Sequence, residues 1–135
     1  MDFFHPWWAA YLAALLTLGA LDGLWLGVVA RKFYLDALGE MAAPRFRKVP
    51  ALVFYLAYPV GLVLLTFTSP AELSALQAVG RSALVGLVAY GTYDLTNLST
   101  LRRWPLRLAL TDMAWGTVLS GACGGAAHWA LAAVA

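Results

Sequence analysis

Four apolar stretches, at about residues 7–29, 50–68, 82–101 and 105–134, decide what this chain can become. Each approaches or exceeds the ~20 residues that a helix needs to cross a ~30 Å hydrocarbon layer. A backbone in lipid must satisfy its own polar groups, so such stretches become helices. The charge content agrees. Of 135 residues, 12% are charged, against about 25% in a soluble domain. The expectation is an all-α membrane protein, a single transmembrane domain over residues 1–135 folded as a four-transmembrane-helix antiparallel bundle with short connections. The one cysteine, Cys123, leaves no intrachain disulfide to form. No basic face exists for a nucleic acid, so the expected partner is membrane lipid. The opening MDFFHPWW carries no basic run, and the apolar stretch after it is too long for a signal-peptide core, so it reads as a retained helix.

The basic residues mark the ends of the spans. Arg31, Lys32, Arg45, Arg47 and Lys48 fall in the first connection, and Arg102, Arg103 and Arg107 in the third. Only Arg81 lies on the other side. Basic connections stay in the cytoplasm, which predicts an N-out, C-out multi-pass protein. Phe33, Tyr34, Leu38 and Met41 recur at helical spacing against charged neighbours, so residues 31–49 hold a short interfacial helix, ended by Pro44. Ser69-Pro70-Ala71-Glu72 fits a capping box for a second one within 69–80. Gly19, Gly23 and Gly27 form a stripe of the kind that lets helices approach closely, here as a homodimer contact. Pro59 frees the carbonyl of Tyr55 and predicts a kink. Trp7, Trp8, Trp104 and Trp129 read as belt residues at the membrane surfaces, His5 and His128 as interfacial histidines, and Cys123 as a small packing residue.

Inside these apolar stretches lie three aspartates. At about 1.5 Å of rise per residue, Asp22 sits ~13 Å from Arg31, Asp94 ~12 Å from Arg102, and Asp112 ~8–13 Å from Arg107 and Arg103. Tyr55 and Tyr58 reach a similar level, ~10 and ~15 Å from Lys48. Three helices therefore bring a carboxyl to one depth, in the cytoplasmic half. Each costs about 2.5–3.5 kcal/mol on insertion scales, so they should face one another or a wet cavity. Tyr90, Asp94 and Asn97 share one helix face, and Trp25, Asn97 and Trp115 are candidate donors. No Lys, Arg or His lies at that depth. Compensation must come from retained protons, a bound cation, or loop arginines reaching inward. Asp22, Asp94, Asn97 and Asp112 offer oxygen ligands of the kind Mg²⁺ or Ca²⁺ takes, but the spacing alone assigns no metal, and no cofactor is indicated.

The segments LDGLWLG (21–27), FYLAYPVG (54–61), YDLTNLSTLRRWP (93–105) and TDMAWG (111–116) resemble a family of predicted bacterial inner-membrane proteins defined only as a domain of unknown function. The resemblance covers nearly the whole chain. It implies four membrane helices in a bacterial inner (cytoplasmic) membrane, and brings no activity, substrate or catalytic residue.

Three readings of the carboxyl cluster remain. It is a pocket for a lipid-like or amphiphilic molecule, lined by Asp22, Trp25, Tyr55, Tyr58, Tyr90, Asp94, Asn97, Asp112 and Trp115. It is the relay of a small proton- or cation-coupled transporter working as a dimer. Or it is a buried polar network that locks a structural or assembly subunit. No nucleophile–base pair is evident, and catalysis is left open. The orientation is directly testable. With Cys123 replaced, a cysteine introduced at position 40 should react with an impermeant thiol reagent only from the cytoplasmic side; reaction from outside would invert the topology.

Overall fold

The computed structural model describes residues 6–68 and 72–135, which are helical almost throughout, with no strand among them. Helix α1 (Trp7–Leu24) runs on into a π-helical turn (Trp25–Val29). Helix α2 (Arg31–Leu38) and a 3₁₀ turn (Gly39–Met41) follow. Three long helices complete the chain: α3 (Lys48–Phe67), α4 (Ala75–Thr100) and α5 (Leu106–Val134).

Several boundaries differ from the sequence expectation for physical reasons. Gly39, not Pro44, ends α2: its φ of 55° lies in the left-handed region that favours glycine. No separate helix occupies 69–80 among the described residues. Instead α4 starts at Ala75 and runs unbroken through position 82. Its capping box is Ser74–Gln77, with Gln77 N donating to Ser74 Oγ at 3.1 Å and Ser74 N to Gln77 Oε1 at 2.9 Å. Of the box expected at Ser69–Glu72, Ser69, Pro70 and Ala71 lie outside the described residues. Helix α3 continues through Pro59, and Tyr11 of α1 donates to the Leu56 carbonyl beside it at 2.9 Å.

Among the described residues, three helices are long and apolar enough to cross a membrane: Trp7–Val29, Lys48–Phe67 and Leu106–Val134. Helix α4 has the length, but Gln77, Arg81, Asp94, Asn97 and several threonines and serines make it more polar than the others. It is nevertheless the closest neighbour of α5, ahead of α1, while α3 packs less extensively on all three.

Helix α5 carries two rows of residues spaced by four, and each row makes one seam. Leu119, Cys123 and Ala127 pack in one core with Ala10, Ala14 and Leu18 of α1 and with Leu62 and Val63 of α3. Continued by one turn, the α1 row reaches Asp22 and the α5 row reaches Trp115, which meet in a hydrogen bond. The second row is Asp112, Gly116, Ser120 and Gly124, set against Ala78, Ser82, Gly86, Tyr90 and Asp94 of α4. This seam is antiparallel and very close. A Cβ on Gly86 would strike the Gly116 carbonyl and Ser120, one on Gly116 the Tyr90 ring, and one on Gly124 the Ser82 side chain. Between helices in lipid there is little hydrophobic drive, so association rests on such packing. The Gly19/Gly23/Gly27 stripe differs: a Cβ at any of the three would meet nothing within 4 Å in this chain.

The contrast yields a prediction. Gly116→Ala and Gly86→Ala should each destabilise the fold by about 1–3 kcal/mol, the usual range for overpacking. Gly19→Ala should cost nothing and gain some helix propensity. Thermal unfolding of the three variants in detergent would show it; equal melting temperatures would refute the seam.

Candidate functional site

Both seams end in carboxyls on the side of the bundle that carries the basic connections. Asp22 is 4% exposed, and both of its oxygens are engaged. Trp115 Nε1 donates to Oδ1 at 2.9 Å, and the Tyr55 hydroxyl donates to Oδ2. Trp115 stacks on Trp25, with ring centroids 4.5 Å apart and planes at 11°.

Trp25 opens the π-helical turn, closed by Ala30 N donating to the Trp25 carbonyl at 2.7 Å. Such widened turns re-aim side chains and recur at functional sites. Ala30 then starts the next helix, its carbonyl accepting from Tyr34 N at 3.0 Å, so α2 folds back under the bundle. There the Tyr34 hydroxyl accepts from Trp25 Nε1 at 3.2 Å and donates to Asp112 Oδ1 at 2.9 Å. Burial holds the Tyr34 hydroxyl well above the ordinary tyrosine range, so it keeps the proton it donates. Arg107 over the Phe33 ring, 5.9 Å from its centroid, adds a second tie to α2. Arg103 and Glu40, 4.0 Å apart and exposed, add little.

Asp94 is the contrasting case. It is 0% exposed and lies beside the Asp112 carboxyl and the Trp104 indole. Yet neither of its oxygens has a hydrogen-bond partner, and Trp104 Nε1 is buried without one too. No arginine reaches inward: the ion pairs among the described residues are Lys32–Asp36 and Arg103–Glu40, both outside the cluster.

The remaining sequence candidates fall in two groups. Tyr90 lies within electrostatic reach of Asp22 and Asp112. Tyr58 turns to Ser120, sharing a 2.7 Å hydrogen bond, and stacks on Phe54. Asn97 lies beside Tyr93 on its own helix. Of the oxygen ligands weighed for a cation, Asp94 and Asp112 lie side by side, while both oxygens of Asp22 are taken by Tyr55 and Trp115. No three Asp, Glu, His or Cys residues come together among the described residues. Of the histidines, His5 lies outside the described residues, and His128 Nε2 donates to the Leu73 carbonyl at 2.9 Å.

Beside the indole pair is an open groove of about 430 Å³, lined by Trp25, Leu110, Thr111, Ala114, Trp115 and Val118. The two indoles thus wall the groove while their N–H edges point to Asp22 and to Tyr34. The arrangement places an apolar surface next to carboxyls, with aromatic rings between.

The profile of a family described as a predicted membrane protein, DUF2177, matches residues 7–129. The chain belongs to DUF2177. It matches no curated protein and no solved structure. In this DUF2177 chain the cluster also includes Tyr34 and Trp104, whose sequence positions suggest only an interfacial helix and an aromatic belt. A signal existed for Trp104: it follows a basic pair and precedes Pro105, which turns the chain back toward Asp94. For Tyr34 none did, because the fold-back of α2 depends on the π-helical turn.

Removing Asp22 leaves two half-buried donors unpaired, so Asp22→Ala should destabilise by about 1–3 kcal/mol in all, since water or lipid headgroups reach part of each donor. Tyr34→Phe should release α2 locally, accelerating tryptic cleavage at Arg45 and Arg47 with little change in melting temperature. Unfolding curves and limited proteolysis would test both; a Tyr34→Phe protein as resistant as the parent would contradict the role of the Tyr34–Asp112 bond in holding α2.

Proposed function

We propose that this DUF2177 protein binds an amphiphilic small molecule drawn from the bilayer. In this reading α4 is the fourth span, the termini face outward, and the carboxyl cluster lies in the cytoplasmic half of a bacterial inner membrane. One observation carries it: the stacked Trp25–Trp115 pair walls an open apolar groove while its polar edges turn to Asp22 and, through Tyr34, to Asp112. An apolar body lies in the groove, and a polar head is held at its rim. A purely structural network would give the same hydrogen bonds but has no use for the groove beside them.

A second reading is favoured by Asp94. A buried carboxyl without a donor, beside a second carboxyl, is suited to carrying a proton between them. That reading makes the cluster a relay and the open glycine stripe of α1 a homodimer contact.

Native mass spectrometry of protein released gently from its membrane separates the two. The binding reading expects a co-purifying mass that organic extraction removes and that Trp115→Ala abolishes. The relay reading expects proton flux in liposomes that Asp94→Asn stops. A clean apo mass together with no flux would remove both.

A further inference from the structure

Between α2 and α3 the chain exposes an unbroken run, Arg45-Phe46-Arg47-Lys48-Val49. Phe46 is 77% exposed and Val49 73%, and no aromatic side chain among the described residues is more exposed than Phe46. The three cations beside them have no acidic partner, since the ion pairs among the described residues are Lys32–Asp36 and Arg103–Glu40. Helix α3 itself has no need of them. Lys48 opens it, and Arg47 precedes it without a side-chain capping bond. Cations at the start of a helix stand against its dipole.

The position of the run gives its apolar and basic residues one use. Lys48–Phe67 is long and apolar enough to cross a membrane, so the run stands where that helix leaves the hydrocarbon, at the level of the lipid headgroups. Aromatic side chains settle at that level, and Lys and Arg there are drawn to anionic lipid. The same end of the bundle exposes Arg31, Lys32, Arg102, Arg103 and Arg107, against the carboxyls of Asp36 and Glu40. Such an excess of positive charge favours a headgroup with net negative charge over one that neutralises its own phosphate. A nucleic acid or an acidic protein would take up the cations but leave Phe46 and Val49 in water.

We propose that Arg45–Val49 is a docking site for anionic phospholipid: Phe46 and Val49 enter the acyl region, and Arg45, Arg47 and Lys48 hold the headgroup phosphates. The site is separate from the Trp25–Trp115 groove and does not depend on what that groove binds.

The test titrates the full chain, in uncharged detergent, with phosphatidylglycerol or phosphatidylcholine of identical acyl chains, and reads bound lipid by native mass spectrometry. Phosphatidylglycerol should bind about tenfold tighter or more, as a few basic residues at a headgroup surface allow. The preference should shrink as salt is raised. Arg45→Gln should weaken phosphatidylglycerol about fivefold, and the triple variant Arg45→Gln/Arg47→Gln/Lys48→Gln should remove most of the preference. Phe46→Ala should weaken both lipids alike. Should the triple variant fail to fold, Arg45→Gln decides in its place. Equal binding of the two lipids would overturn the proposal. A preference that survives the triple variant would overturn the assignment to this run. Tighter binding of an RNA oligonucleotide than of phosphatidylglycerol would overturn the choice of lipid.

Discussion

Carboxyl groups buried in an apolar bundle without basic partners are the constraint from which the rest of this structure follows. Each is costly to place in lipid, and the usual answer, an arginine or lysine, is absent at their depth. Uncharged donors stand in. Asp22 takes an indole N–H and a phenol, and Asp112 takes a phenol whose own oxygen is engaged by a second indole. That accounts for the aromatic residues at this end of the bundle. It also accounts for the fold-back of α2, which delivers a tyrosine that no membrane helix supplies.

The packing serves the same end. Helix α5 is the shared element, touching α1 along one row and α4 along another. The α4 seam is built from glycine, serine and alanine, so the two backbones approach closely enough to bring Asp94 and Asp112 together. The α1 seam includes larger side chains, Leu18 and Leu119 among them, and ends at the Trp115 indole. One seam thus sets two carboxyls side by side and the other gives Asp22 an indole donor.

Much of this was legible in the sequence, and the limits have physical causes. That the aspartates lie toward the same end of the helices, near the basic connections, followed from the rise of a helix and the position of basic residues, quantities that local irregularity hardly disturbs. The all-helical class followed from hydropathy. Which donor serves which carboxyl did not follow, because that depends on helix rotation. Tyr58 and Asn97 sit at suitable levels but turn to Ser120 and toward Tyr93. Tyr34 could not be found at all, since one π-helical turn redirects the chain after Trp25. The glycines divide in two. The regular stripe on α1 contacts nothing within this chain, whereas the glycines of α4 and α5, which the hydropathy pattern does not single out, make the tightest seam.

The motif Asp-x-x-Trp occurs at 22–25 and at 112–115 on helices that run in opposite directions. Their crossing gives each tryptophan to the other helix's aspartate, one directly and one through Tyr34. The two rows of α5 that end in Trp115 and Asp112 lie about 60° apart around one rigid rod at 3.6 residues per turn. A rotation of α5 that moves Asp112 against Tyr34 therefore also twists Trp115 against Asp22, with the stacked indoles as the axle between the two bonds.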